Sequence, residues 1–198
     1  MFSLAYSLTK SVDIEDVEYP LDVSFDNVLR LIDMLGDEEL SDVVQVETGL
    51  VMLIGTELDC DIEQKGVIFT SLFEQLISKG EQAAQAVDIK GNPMPFESGN
   101  EEEKYSLTED AEYIYASFMQ DYGMDLIEEQ GKLQWSKFKA LLSGLRDDTK
   151  FKKVLEIRQM PIPTGKGTEK ERKNVIEMKK AYALKGQEVI YDDEDEDE

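Results

Sequence analysis

Side chains that commonly catalyse reactions or bind metals are scarce in this sequence. It contains no histidine, which excludes a histidine base and a histidine metal ligand, and one cysteine, Cys60, is too few for a cysteine-based zinc site. Acidic residues flank Cys60, and their negative charge disfavours a reactive thiolate. We therefore expect Cys60 to have no catalytic role.

Two short motifs resemble ligand-binding loops but do not complete them. The run from Gly165 to Thr168 has the end of a phosphate loop without the GxxxxGK[ST] spacing or a preceding strand, and it predicts a hinge. Asp59, Asp61 and Glu63 resemble the start of a calcium loop that lacks its turn glycine and its final glutamate, and they predict the start of a helix. Carboxylate pairs are numerous and none is singled out by spacing, which leaves a carboxylate-only hydrolase open but unsupported. We predict a protein that is not an enzyme and that uses no cofactor or metal.

The net charge of −23 is distributed unevenly along the 198 residues. Residues 1–131 contain 30 acidic and 6 basic side chains, residues 132–186 contain 6 and 15, and residues 187–198 contain 8 and none. Such acidity disfavours nucleic acid and anionic membranes as partners. The basic segment could bind an acidic partner, or the acidic tail could simply neutralise it.

Hydrophobicity and cysteine content together predict a cytoplasmic protein. No stretch reaches the roughly 18 uninterrupted apolar residues that a membrane span requires. The N-terminal sequence has no basic region ahead of its apolar residues, which argues against a signal peptide. A single cysteine is consistent with a reducing compartment.

Apolar periodicity predicts a mainly α-helical fold that opens with a small β-hairpin. Alternation at Leu4, Tyr6 and Leu8 predicts a strand, and a hairpin is predicted around Glu15 and Asp16 within residues 1–23. Helical stripes and capping residues predict helices at 24–36, 41–54, 61–79, 108–123, 135–145, 147–160 and 169–184. A strand is the competing prediction for the valine-rich part of 41–54.

These elements predict one helical domain, residues 1–163, with a long internal loop at 81–106. Residues 164–198 are predicted to form a mobile helical arm and a disordered acidic tail, because the last helix has only a thin apolar stripe. Deleting 164–198 should therefore leave a folded body. The stretch 108–163 is expected to form a compact three-helix unit with Phe118, Trp135 and Phe138 in its core.

Residues near helix ends or on the thin stripe of the last helix are candidates for a partner-binding surface. Aromatic and methionine side chains suit such contacts because they combine apolar area with polar tips or flexibility. The candidates are Tyr113, Tyr122, Met124, Val175, Met178 and Tyr182. For the first three, a purely structural role explains the sequence equally well.

Four segments carry a resemblance to a known family. They are MFSLAYSLTK (1–10), YPLDVSFDNVLRLIDML (19–35), YIYASFMQDYGMDLIEEQGKLQWSKFKALLSGL (113–145) and EKERKNVIEMKKAYAL (169–184). With the acidic end, they resemble a bacteriophage family of short, acidic, mostly helical proteins encoded in tail-gene clusters just before the tape-measure protein. The resemblance covers nearly the whole chain and is weakest in the predicted internal loop.

The resemblance implies a tail assembly chaperone in the cytoplasm of an infected bacterium. Such a protein would bind the tape-measure protein by helix-in-groove packing and keep it soluble until tail-tube subunits polymerise around it. The tail-tube protein as a second partner, and self-association, are also consistent with it. The alternative is a structural tail or connector component of the virion. A third hypothesis, an inhibitor that mimics nucleic acid, is disfavoured by the basic segment.

Overall fold

The computed structural model describes residues 4–78, 105–165 and 167–187, and these residues are mainly α-helical. They fall into two compact units, one made of 4–78 and 127–143 and the other of 105–126 and 144–187. The predicted fold class, helical with a small N-terminal hairpin, is confirmed. Almost all of the predicted loop at 81–106, the predicted helix end at Gly80 and the acidic tail lie outside the described residues.

Two short strands and seven α-helices make up the described part of the chain. In order they are β1 (Ser11–Ile14), β2 (Val17–Pro20), α1 (Phe25–Leu35), α2 (Asp42–Ile54), α3 (Ile62–Phe73) with a following π-helical turn (Glu74–Ser78), α4 (Ala111–Tyr122), α5 (Trp135–Ser143), α6 (Lys150–Gln159) and α7 (Glu169–Tyr182). The valine-rich segment is therefore helical, and its competing strand prediction is wrong. None of these helices has the length and hydrophobicity needed to cross a bilayer.

The turn of the hairpin is formed by the two residues that were predicted to lie between its strands. Glu15 and Asp16 both adopt positive φ angles, 50° and 64°, which a two-residue type I′ turn requires. The antiparallel register pairs Val12 with Tyr19 and Ile14 with Val17. The further strand predicted at residues 4–8 is wrong, since Leu4 and Tyr6 are exposed and these residues form no ladder.

Three stacked aromatic rings form the centre of the first unit. The Phe138 ring lies 5.0 Å from Phe25 and 5.5 Å from Trp135, with interplanar angles of 14° and 18°. The indole Nε1 of Trp135 donates to the Ile77 carbonyl at 3.3 Å, and the Lys139 Nζ donates to the same oxygen at 2.6 Å. These two bonds satisfy a carbonyl of the π-helical turn that follows α3. Helix α5 therefore binds the end of this helical segment, and it also packs against α1.

The N-terminus of α1 is held by backbone pairing and by one buried amide. The Phe25 N–H donates to the Leu133 carbonyl at 2.9 Å, and the Trp135 N–H donates to the Val23 carbonyl at 2.8 Å. The Asn27 side chain donates to the carbonyls of Asp22 and Met52, at 2.9 and 2.7 Å. These bonds join α1 to the end of α2 and to the residues that precede α5.

Helix α2 packs closely against α3 because it carries a glycine in its middle. A Cβ atom at Gly49 would lie 2.5 Å from the Phe69 ring and 3.2 Å from the Leu31 side chain. Leu50 and Leu53, on the same helix, are buried. The glycine lowers helix propensity, but it lets two helices and an aromatic ring meet without a gap.

In the second unit, both α4 and α7 pack against α6. Ile114 and Phe118 of α4 and Phe151 and Val154 of α6 are buried. The buried Ser117 hydroxyl donates to the Tyr113 carbonyl at 2.7 Å and accepts the Phe151 N–H at 2.9 Å. A side chain of α4 thus caps the first turn of α6, where the structure gives Thr149 no capping bond of its own.

Two predicted capping residues are wrong by one or two positions. The predicted N-cap of α4 was Thr108, but the helix begins at Ala111 with Asp110 at the N-cap position. Residues 107–110 form a turn in which Ser106 Oγ accepts the Glu109 N–H at 3.1 Å. The predicted cap of α6 was Asp147 or Asp148, whereas Thr149 occupies it. The predicted left-handed glycine that ends α4, Gly123, is confirmed with φ 60°.

The three helices of residues 108–163 do not form one unit, contrary to expectation. Helix α5 belongs to the first unit, while α4 and α6 belong to the second. Phe118, Trp135 and Phe138 are core residues as predicted, but in two different cores. Helix α7 lies against α6 and buries Val175. The boundary at residue 163, and the survival of a folded body without 164–198, stay predictions.

Candidate partner-binding site

All six candidate contact residues lie in the second unit, where a buried ion pair fixes the elements that bear them. Arg158 donates from both terminal nitrogens to the two carboxylate oxygens of Asp110, each at 2.7 Å. Its Nε donates to the Tyr182 carbonyl at 2.6 Å. The side chains of Arg158 and Asp110 are 10% and 1% exposed. One guanidinium therefore joins the start of α4, the end of α6 and the end of α7.

Two further contacts hold the C-terminal end of α7 in place. Lys179 Nζ donates to the Arg158 carbonyl at 2.8 Å, where α6 ends. The backbone N–H of Lys185 donates to the Glu109 carboxylate at 2.9 Å, and Leu184 is buried nearby in sequence. Polar contacts at one end, rather than a wide apolar stripe, attach this helix to its unit.

A lysine ammonium lies beside the rings of two candidate tyrosines. The Tyr113 and Tyr182 rings meet edge to face with centroids 6.1 Å apart. Lys150 Nζ lies 5.4 Å from the Tyr113 centroid and 4.7 Å from the Tyr182 centroid, and it donates to the Tyr182 hydroxyl at 2.9 Å. Cation–π attraction and the hydrogen bond fix the two rings and the ammonium as one group at the surface. We call Tyr113, Lys150 and Tyr182 the tyrosine–lysine cluster.

The other α7 candidates divide into one buried and one exposed residue. Val175 is the one buried residue of α7 and serves the packing of the helix onto α6. Met178, one helical turn before Tyr182, is 37% exposed. Because residues four apart share a helix face, Met178 extends the side of α7 that ends at the tyrosine–lysine cluster.

Tyr122 and Met124 lie on either side of the glycine that ends α4. The Tyr122 ring packs on the buried Phe118 with centroids 5.6 Å apart, and the side chain stays partly exposed. Burial, and to a lesser degree the charge of Asp121, raises the pKa of the Tyr122 phenol above its usual 10.0. Met124 is half-buried, and its N–H donates to the Phe118 carbonyl at 3.4 Å. These two positions have clear structural roles, and a contact role for them stays a prediction.

An arginine–aspartate pair fixes the loop after α5 against the end of α4. The Asp121 carboxylate accepts the Arg146 backbone N–H at 2.8 Å and its Nε at 2.7 Å. The backbone bond, and then the bond and charge of the side chain, hold the pKa of the Asp121 carboxyl below its usual 3.8. This pair leaves Asp121 ionised, so the end of α4 stays negatively charged beside Tyr122.

The described residues offer a surface for protein contact and no group of ligands for a metal. No cluster of three or more aspartate, glutamate or cysteine side chains suitable for a metal ion occurs within 4–78, 105–165 and 167–187. The second unit instead exposes aromatic, methionine and lysine side chains on a helix that is held at one end. Side chains of this kind are typical of surfaces that recognise a partner helix.

Sequence reasoning missed the two residues that organise this site. Lys150 was not singled out, since a lysine at a helix start normally faces solvent. Arg158 occurs four residues after Val154, on the apolar stripe of α6, and this spacing is a signal that its guanidinium is buried. No pattern in the sequence indicates that the carboxylate bound by Arg158 is that of Asp110, 48 positions away.

The chain matches the model of a known protein family. The family model described as "Bacteriophage Gp15 protein" matches residues 4–184, which is nearly all of the chain. No curated protein and no solved structure matches the chain significantly. The match includes all six candidate contact residues and both units.

Proposed function

This chain belongs to the bacteriophage Gp15 protein family, and from that premise we propose that it is a tail assembly chaperone. It binds the tape-measure protein of the phage and keeps that long helical partner soluble while the tail tube assembles. Family membership supports a structural or assembly role in the phage in general. The finer role and the partner are the proposal, and the exposed side of α7 is the observation that favours them.

Helix α7 has the properties of a helix that binds a second helix. It spans fourteen residues, buries only Val175 within its own unit and carries Met178 exposed one turn from the tyrosine–lysine cluster. Methionine adapts its shape to irregular apolar surfaces, and the fixed Tyr182 ring provides a rigid contact beside it. A partner helix lying along this side would bury apolar area that the protein itself leaves in water.

The charge of the protein suits a chaperone of an aggregation-prone partner. A net charge of −23 on 198 residues makes complexes of this chain repel one another. The lysines of α6 and α7 provide the opposite charge at the proposed contact surface, so acidic side chains of the partner helix can be accommodated there.

Co-expression with the tape-measure protein of the same phage tests this proposal. We expect the wild-type chain to keep most of the tape-measure protein in the soluble fraction and to co-purify with it. Met178→Asp should weaken this binding by about tenfold, because it places a charge in the apolar contact. Met119→Asp on α4 is the matched control, since Met119 is exposed to a similar extent, 40%, but lies outside the proposed surface.

Two results would oppose the proposal in different ways. If the tape-measure protein stays insoluble with the wild-type chain, the chaperone role is wrong. If both variants lose or both keep binding, the chaperone role stands but α7 is not its contact surface. Circular dichroism of both variants establishes that neither substitution unfolds the second unit.

A further inference from the structure

Helix α2 of the first unit is apolar on two sides, and its second apolar side faces water. Leu50 and Leu53 are buried in the core, whereas Val44 and Val51 are 43% and 39% exposed. Valine is a weak helix former, so exposed valines in a helix bring no local stability. Val44, Thr48 and Val51 recur at helical spacing on one face, which forms a continuous strip about two turns long.

A surface groove borders this strip at Thr48 and Val51. It has a volume of about 300 Å³ and lies between α2 and the residues that lead into α3. Its lining residues are Glu47, Thr48, Leu50, Val51, Glu57, Leu58 and Lys65. We call this the α2 groove. Its volume is at the lower limit of small-molecule sites and suits one or two aliphatic side chains of a protein partner.

The segment that forms the α2 groove is acidic, and Glu47 and Glu57 lie on the rim of the groove. Residues 41–78 contain seven acidic side chains and one basic side chain, Lys65. Lys65 is paired with Glu47 at 2.7 Å, and this bond raises the pKa of its ammonium above the usual 10.5. The one positive charge of this segment is therefore paired within the groove, which leaves Glu57 as the second acidic side chain of the lining. The excess of acidic residues in 41–78 makes the field around the groove negative.

We propose that the α2 groove binds a basic amphipathic helix of a partner protein. An apolar strip with valine spacing accepts aliphatic side chains at i, i+3 or i+4, and i+7 of a helix, and an acidic rim attracts lysine and arginine beside them. The negative field excludes nucleic acid and anionic lipid headgroups as occupants. This site belongs to the first unit and does not rest on the proposed function of α7.

Labelled synthetic peptides test the proposal on the full chain by fluorescence anisotropy. The probe is an 18-residue helix-forming peptide of leucine, alanine and lysine, with its leucines on one face. One comparison peptide has the same composition with the leucine stripe scrambled, and another has glutamate in place of lysine. We expect the striped basic peptide to bind at least tenfold more tightly than either comparison peptide.

Two protein variants test whether the striped peptide binds in the α2 groove. Val51→Asp should weaken binding of the striped peptide about tenfold, as expected for the loss of one buried aliphatic contact. Val67→Asp on α3 makes the same chemical change at a side chain that is 71% exposed and outside the groove lining, and it should leave the affinity unchanged within twofold. Both substitutions add one negative charge, so attraction by net charge alone predicts equal, slightly tighter binding for both.

Each remaining outcome contradicts the proposal. Equal affinities for the striped and scrambled peptides would mean that charge alone accounts for the binding and that the apolar strip makes no contribution. Equal loss in both variants would place the site elsewhere. Self-association of the wild-type chain in sedimentation, abolished by Val51→Asp, would assign the groove to a second copy of this chain instead. Failure of the tape-measure co-expression has no bearing on these results.

Discussion

Replacing Arg158 by methionine is expected to destabilise the second unit by about 3 kcal/mol. Methionine preserves most of the apolar volume but leaves the Asp110 carboxylate, 1% exposed, buried without its cation. Breaking a buried ion pair at one partner typically costs about 3 to 5 kcal/mol, and Arg158 is 10% exposed, which favours the lower end. The Tyr182 carbonyl also loses its donor, so the end of α7 should detach first. Urea unfolding followed by circular dichroism at 222 nm measures the change.

Lys153→Met is the matched control for this substitution. Lys153 is exposed on the same helix, so the control removes a positive charge from α6 without removing a buried partner. We expect it to change the free energy of unfolding by less than about 0.5 kcal/mol. Equal effects of the two substitutions would mean that the contacts among α4, α6 and α7 do not depend on the Arg158–Asp110 pair.

The second large effect is expected at Phe138, the middle ring of the aromatic stack in the first unit. Phe138→Ala removes a ring that is buried between Phe25 and Trp135, and a loss of about 3 to 5 kcal/mol is expected from the cavity and the lost transfer energy. The emission of Trp135, the one tryptophan of the chain, should shift to longer wavelength as water reaches the cavity. Urea unfolding followed by this emission gives both quantities.

Phe138→Leu separates ring stacking from burial. Leucine keeps an apolar side chain at the site and loses both ring contacts, which are worth about 0.5 to 1.5 kcal/mol each. We therefore expect a loss of roughly half that of the alanine variant. If the alanine variant unfolds at the same urea concentration as the wild type, the stack is not the core of the first unit.

The elements of the fold were predictable where local chemistry determines them. The helix 111–122 has an apolar stripe and a glycine that ends it, and the turn at Glu15 and Asp16 lies between two alternating segments. The predicted strand at 4–8 failed because alternation gives a strand only where a neighbouring strand or core receives its apolar side chains. Leu4 and Tyr6 have neither in the described structure.

Long-range pairing was not predictable in the same way. The position of Arg158 on an apolar stripe implies burial, but the choice of Asp110 depends on how α4 and α6 pack. The same carboxylate belongs to Asp110, the N-cap residue of α4, whereas Thr108 was the predicted N-cap. Likewise, three helices that are adjacent in sequence were expected to share a core, yet α5 packs with α1 and the π-helical turn.

The candidate site shows the same division between local and long-range information. Position near a helix end made Tyr113 a candidate from sequence, and the thin apolar stripe of the last helix made Met178 and Tyr182 candidates. Their arrangement around Lys150 depends on the contact between α6 and α7, which no local pattern encodes. The α2 groove was not predicted from the sequence, because its lining comes from α2, the residues after it and the start of α3 together.

The most direct test of the central claim is quantitative mass spectrometry of this chain in infected-cell lysate and in purified phage particles. An assembly chaperone acts before the tail is complete and is then released. We therefore predict that the chain is abundant in lysate, associated there with the tape-measure protein, and missing from particles. A fixed number of copies in every particle would contradict this account and would make the chain a structural component of the virion.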